Sequence, residues 1–418
     1  MDNQFNKPAP LPLSDAYQDT SDVPPTDQPF KTPDETAVRD DGSTATPILG
    51  SEVESDQNII PKNIKKSRFK WRPTKKQKII GLVILILLLV GGYFSYGYFY
   101  KPSPKVATIK RPIIPPKPIT VASNLSGLQV NPSVNKLPVT AVMVENSDAA
   151  RPQSGLGQAG VVFEAVAEGG VTRFMALYQD TSPTSVGPIR SARPYYVEWA
   201  LGFDAGYAHV GGSPDALADI TAWNVKDLNE FYNANSYQRI TSRAAPHNVY
   251  TGIGTLNQLE ASKGYTASKF TSWTRKAAAP VKVPTATTIN FSLSSSDYNP
   301  VYTYNAKTNS YNRSEGGAVQ TDANTNTQIS PKVVIGIVVP ESQGALDATG
   351  AYYSDYNVLG TGSAYIFQDG TLAVGNWTKS SDATQILFTD ASGKPIGLDP
   401  GQAWITAITA TSKVTYSP

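Results

Sequence analysis

The chain contains no cysteine in 418 residues. That excludes disulfides, thiol catalysis, thiolate-bound zinc or iron–sulfur clusters, and a lipid anchor carried on cysteine. Histidine is almost as scarce, with His209 and His247 alone. Two histidines without cysteine give no spacing that supports zinc, and H-E-x-x-H is missing. There is no Walker A loop, and GLGQAG at 155–160 does not fit G-x-G-x-x-G. No G-x-S-x-G elbow backs a serine nucleophile, so Ser191 and Ser213 stand without a base fixed by spacing. No cofactor and no metal is expected.

Charge is sparse at 17%, and the formal net charge of +2 hides a strong segregation. Residues 1–61 are acidic, proline-rich and poor in aromatics, so they cannot bury enough apolar surface to offset chain entropy. They read as a disordered tail. Residues 62–78 (KNIKKSRFKWRPTKKQK) are basic and hold no acid. Such a run can bind nucleic acid, but the long apolar segment directly after it argues for a membrane instead.

From Ile79 to Tyr100 runs IIGLVILILLLVGGYFSYGYFY, without a charged residue. At about 1.5 Å per residue it crosses a hydrocarbon core of about 30 Å. Tyr93, Phe94, Tyr96, Tyr98 and Tyr100 crowd its far end as an interfacial aromatic belt. The basic excess on the near side predicts a cytoplasmic N-terminus, a single pass through a bacterial cytoplasmic membrane, and extracytoplasmic domains beyond. Residues 101–120, rich in proline and lysine, read as a stiff spacer.

The exported part predicts an α+β fold in two domains: mixed α/β over 121–280, then mostly antiparallel β over 281–418. In the first, LPVTAVMVEN holds a strand, and VVFEAVAE with TRFMALYQ forms a hairpin about Gly169-Gly170. Helices begin at Pro194 and Pro214, and another ends at Gly264. In the second, short alternating runs such as TTINFSL, PVYTYN, KVVIGIVVP, TLAVGNW and AWITAI are separated by turns.

Within VGPIRSARPYYVEW (186–199), Arg190 and Arg193 approach a helix start, where unpaired N–H groups favour anions. Two readings stand side by side. Arg173, Arg190, Arg193, His209, Ser213, His247 and Asn248 could converge to hold an anionic or sugar ligand. Alternatively, the arginines pair internally with Glu164, Glu168 or Glu198, and each histidine staples a loop through a backbone carbonyl. Glu168, at a strand end before two glycines, is the best-placed acid for glycoside cleavage.

The segments ARPQSGLGQAGVVFEAVAEGGVTRFMALYQ (150–179), GPIRSARPYYVEWA (187–200), YAHVGGSP (207–214), APHNVYT (245–251), YNRSEGG (311–317) and LDPGQAWI (398–405) carry a resemblance. In this order, over roughly 140–408, the chain resembles the YerB-like family of bacterial cell-surface proteins, the "domain of unknown function 3048" group, with its N- and C-terminal domains. The resemblance implies a surface location without implying an activity. It also implies a cysteine lipid anchor, where this chain has an apolar helix, and a histidine where this chain has Gln320.

The expectation is therefore a membrane-anchored binding or scaffold protein of the cell envelope, engaging cell-wall polymer or wall-synthesis proteins and no nucleic acid. The alternatives are a peptidoglycan-cleaving enzyme with Glu168 as general acid, and a sensor of an anionic extracellular ligand.

Overall fold

The computed structural model describes residues 72–101, 119–347 and 349–418. The tail (1–61), residues 62–71 of the basic segment and residues 102–118 of the spacer lie outside the described residues. Two units are described, each by itself.

The first contains helix α1 (Lys75–Phe99). It begins at Thr74, whose backbone N–H donates to Gln77 Oε1 at 3.0 Å. The helix starts four residues ahead of the charge-free run, so Lys75, Lys76 and Lys78 form its basic first turn. Beyond that turn it is apolar all round, and none of its residues is buried within the protein, which suits surroundings that are themselves apolar. Among the described residues it is the one helix long and apolar enough to cross a membrane.

The second unit is built on one large mixed sheet. Its first strands are β1 (Thr140–Glu145), β2 (Val161–Glu168) and β3 (Val171–Tyr178). Gly169 and Gly170 turn the β2–β3 hairpin at φ 57° and 80°, a region that suits residues lacking Cβ. Next come α2 (Pro194–Leu201), β4 (Gly206–Ala208), α3 (Pro214–Ala222), β5 (Lys226–Asp227) and α4 (Ile253–Ser262). The helix starts expected at Pro194 and Pro214 are present. The chain continues through β6 (Thr288–Phe291), β7 (Pro300–Asn305), β8 (Ser310–Glu315), β9 (Ala318–Val319) and β10 (Val333–Val338). A hairpin, β11 (Glu341–Leu346) and β12 (Tyr352–Tyr356), precedes β13 (Gly360–Gln368) and β14 (Thr371–Lys379). The last strands are β15 (Leu387–Thr389), β16 (Ala403–Ile408) and β17 (Val414–Ser417).

The strand order in the large sheet is β15-β14-β13-β10-β16-β2-β3-β1-β4-β5. Strand β16 runs parallel to β10 on one side and to β2 on the other. The two segments expected as separate domains therefore share one sheet, and the second is not wholly antiparallel. The reason is visible in AWITAI: all six residues are buried. A strand without an exposed face belongs in the middle of a sheet covered on both sides. Strands β6 to β9 and β17 alone make a separate five-stranded antiparallel sheet, and β7 has the alternating burial of a one-sided strand.

Each face of the large sheet has its own core. On one, Ala141, Met143, Phe163 and Met175 meet Tyr195, Tyr196 and Trp199 of α2 and Ala216 of α3. On the other, Val142, Val144, Val162 and Phe174 meet Ile289, Phe291, Tyr302 and Tyr311 of the smaller sheet, with Leu256 of α4. The period-2 alternation along β1 to β3 feeds both cores at once. At the ends of these strands the same alternation delivers charged side chains to each face.

Candidate functional site

Strand β1 ends at Glu145, which is paired in register with Arg173 of β3, so both side chains share the α2 face. Two loops converge on this end. The Val186–Arg190 segment runs beside β1, with Glu145 N–H donating to Pro188 O at 2.9 Å. Residues 249–251 run beside that segment, with Ile189 N–H donating to Val249 O at 2.8 Å. The approach depends on Gly187, where a Cβ would lie 2.8 Å from both Tyr250 Cδ1 and Val249 O.

These contacts place Arg190 Nε 3.5 Å from Glu145 Oε1 and His247 Nδ1 2.9 Å from the same oxygen. Ser147 Oγ donates to it as well, at 2.8 Å, and lies 3.4 Å from His247 Nδ1. A Ser-His-acid relay needs the hydroxyl and the carboxylate on opposite ring nitrogens. Here both meet Nδ1, so this group lacks the geometry of such a relay. Glu145 Oε2 and Arg190 Nε are buried without a hydrogen-bond partner. Burial lowers the pKa of Arg190, and the charge of Glu145 partly offsets this.

Further along the same face, Glu168 joins two guanidiniums. Arg193 Nη2 and Nε donate to Glu168 Oε2 at 2.6 and 3.1 Å, and Arg173 Nη2 donates to Oε1. The remaining Nη1 of each arginine is also engaged, Arg173 with Ser191 O at 2.8 Å and Arg193 with Ala192 O at 2.6 Å. The Tyr353 ring covers Arg193 at 4.5 Å. Tyr353 also lines a cavity of about 550 Å³ between the Gly169-Gly170 turn and the β11–β12 hairpin, with Ser294, Glu341 and Tyr352.

The surroundings of Glu168 are those of an ion-paired carboxylate. Burial pushes its carboxyl up, but the charges and hydrogen bonds of Arg173 and Arg193 outweigh this and hold it below the usual range. A carboxylate with both oxygens engaged has no proton to donate as a general acid. The internal pairing expected of Arg173 and Arg193 is thus realised on Glu168. Arg190 instead takes Glu145, a partner not anticipated from sequence. Among the described residues Glu198 forms no ion pair, and burial pushes its carboxyl up to about 7.

Of the two histidines, only His247 joins Arg190. His209 is fully buried, with Nδ1 2.7 Å from Gly211 O and Nε2 3.0 Å from Asp227 Oδ1. Both ring nitrogens are occupied, so it staples the turn after β4 and offers nothing to a ligand. Ser213 is likewise structural: it is the N-cap of α3, accepting from Ala216 N–H at 3.4 Å. Asn248 accepts from Arg239 at 3.4 Å and has no hydrogen bond to the arginine strip.

Glu164 points to the opposite face. There Arg313 Nη2 donates to Glu164 Oε1 at 2.7 Å and Glu315 Oε1 at 3.1 Å, while its Nε donates to Tyr302 OH at 3.1 Å. Trp404 Nε1 donates to Glu164 Oε2 at 2.8 Å, and the Trp404 ring lies under the guanidinium. Arg313 also donates to Gln320, which fills the position where a histidine was implied. Burial raises the Glu164 carboxyl to about 7, against the pull of Arg313. This network clasps β2 and β16 to the smaller sheet. Among the described residues, no group of three or more His, Asp and Glu is placed to hold a metal ion.

The fold and its rim define a class: an α+β protein whose single mixed sheet ends in an arginine-rich strip on one face and a buried ion network on the other. Residues 125–266 match the model "Protein of unknown function (DUF3048) N-terminal domain", and residues 288–405 match its C-terminal domain. The chain belongs to the DUF3048 family. It is 30% identical over 288 residues to YerB of Bacillus subtilis (strain 168), which bears a provisional lipoprotein name, with 68% of this chain and 85% of that protein covered. The crystal structure of YerB from Bacillus subtilis is similar with a TM-score of 0.63 at 28% identity, covering 71% of this chain and 100% of that one.

Proposed function

We propose that this chain is a single-pass binding protein of the bacterial cell envelope, and that its Arg190 end takes an anionic group of a cell-wall polymer. Helix α1 lies in the membrane in this reading, with its lysine-rich start in the cytoplasm and residues 119–418 outside. The unburied apolar helix supports the anchor, and so does the lipoprotein name of YerB.

The ligand assignment is carried by Arg190. Its two terminal nitrogens make no hydrogen bond among the described residues, and its side chain is 27% exposed. Arg173 and Arg193, by contrast, direct theirs to Glu168 and backbone carbonyls. A guanidinium fork presented in this way suits bidentate carboxylate or phosphate. His247, a quarter exposed with Nδ1 held by Glu145, leaves Nε2 as a second polar contact. A cleaving activity through Glu168 has no support from an ionised, doubly paired carboxylate.

The test is a pelleting assay of the full chain in detergent with purified cell-wall sacculi. Inorganic phosphate should release the bound protein. Losing a charge-assisted bidentate contact is worth about 1.5–3 kcal/mol, or roughly tenfold or more in affinity. Arg190→Ala should weaken retention by that factor in a chain that still folds, Glu145 keeping Ser147 and His247 as partners. Undiminished retention of a folded Arg190→Ala chain would overturn the assignment.

A further inference from the structure

Lys276, Asp369 and Asp399 come from three distant parts of the chain and meet at one point. Lys276 Nζ donates to Asp369 Oδ2 and to Asp399 Oδ1. The backbone around each is fixed independently of that contact. Lys276 N–H donates to Leu398 O at 3.1 Å, and Leu398 N–H returns to Thr274 O at 2.9 Å, so the amine sits on a strand-like rail beside Asp399. Asp369 occupies the left-handed position of the β13–β14 turn at φ 57°. Its Oδ1 accepts from Ala279 N–H at 2.9 Å and from Asn309 Nδ2 at 2.8 Å. Asp399 donates its N–H to Gln368 Oε1 at 2.9 Å. The two carboxyl side chains are 8% and 1% exposed, whereas the lysine is 33% exposed.

We propose that the Lys276 amine and the Asp399 carboxyl condense into an intramolecular amide, with Asp369 as the proton shuttle. One amine within hydrogen-bond reach of two largely buried carboxyls has the three parts such a condensation needs: nucleophile, acyl group and base. The acids are not equivalent. Burial and the hydrogen bond from its neighbour raise Asp399 despite Lys276. Burial also pushes Asp369 up, but Lys276 and Asn309 outweigh it and hold Asp369 low. The condensation requires the form with Asp399 protonated and Asp369 ionised, which is the order these opposite directions favour.

The steps balance without any co-reactant. Asp369 takes one proton from the Lys276 ammonium, and the freed amine attacks the Asp399 carboxyl carbon. Asp369 returns that proton to the departing hydroxyl as the C–O bond breaks and water leaves. The nitrogen then gives its second proton to Asp369, which ends protonated. The products are one amide and one water.

The bond would join residues 123 apart in sequence, tying the segment after α4 to the loop that leads into β16. It would remove chain entropy from the unfolded state as a disulfide does, in a protein that has no cysteine.

The experiment is the intact mass of the denatured full chain, followed by proteolysis and fragment mass analysis. The expected result is a chain lighter than its sequence mass by one water, with a branched peptide joining Lys276 to Asp399. Lys276→Arg, which preserves the charge pairing, should have its full sequence mass, and so should a folded Asp369→Asn. A folded parent chain of full sequence mass would overturn the proposal. So would a water loss that hydroxylamine reverses at Asp369-Gly370, because that marks ring closure of the aspartate rather than an amide to lysine. Retention of the branched peptide in Asp369→Asn would remove Asp369 from its role.

Discussion

Replacing Arg313 by methionine tests whether the buried ion network clasps the two segments together. The Arg313 and Glu164 side chains have no exposure, and Glu315 has 1%. Removing one partner of a buried pair costs about 3–5 kcal/mol, because the other charge is left without compensation. The structure lowers that cost. Glu315 retains Arg151 at 3.3 Å and Asn146 Nδ2 at 3.0 Å, so the orphaned group is Glu164. It keeps Trp404 Nε1 at 2.8 Å and can escape the charge penalty by binding a proton. Its carboxyl already stands at about 7 with Arg313 present, and moves higher without it. A raised carboxyl loses stability as pH climbs from its unfolded value to its folded one. In the parent chain that loss stops near pH 7, whereas in Arg313→Met it continues. The expected cost is therefore smallest at pH 6, about 1.5–3 kcal/mol for the lost charge-assisted hydrogen bonds of Arg313, growing by about 1.4 kcal/mol per unit above pH 7. Urea unfolding at pH 6, 7 and 8 measures it, followed by the fluorescence of the chain's six tryptophans. A cost below about 1 kcal/mol, or one independent of pH, would refute the reasoning.

Glu168→Gln should destabilise by about 2–4 kcal/mol at pH 7, since it leaves two buried guanidiniums without their carboxylate. Its folded carboxyl is held low, so the difference from the parent should shrink as pH falls below the unfolded value of 4.5; a variant of parental stability at pH 7 would contradict the ion-pair reading. Glu260 is buried, accepts from Thr140 Oγ1 at 3.0 Å and has Oε1 without a partner. Burial raises its carboxyl to about 8, so the folded chain holds a proton that the unfolded chain releases above pH 4.5. Glu260→Gln should therefore gain stability relative to the parent between pH 5 and 8, by roughly 2–4 kcal/mol. Thermal melts across that range would show a flat difference if Glu260 were ionised in the fold.

The local elements were legible because their signals are local. Pro194 and Pro214 mark helix starts, Gly169-Gly170 marks a hairpin, and the alternating burial of PVYTYN marks a one-sided strand. The parallel junction of β16 with β2 and β10 was hidden, since five apolar residues and a threonine read equally well in either direction. Its one sequence clue is the absence of any residue in AWITAI that needs water. The site was half legible for the same reason. Arg190, Arg193 and His247 stood out by their setting, but their partners are set by strand register: Glu145 lies 45 residues before Arg190, and Glu168 lies 25 before Arg193. Register also decides what each charge can do. Three arginines and two glutamates line one face, and Glu168 accepts from both Arg173 and Arg193. That leaves Arg190 and His247 to share one oxygen of Glu145. The strip therefore has its surplus of donors at the Arg190 end, which is why the proposed anion contact is assigned there and not to Arg173 or Arg193.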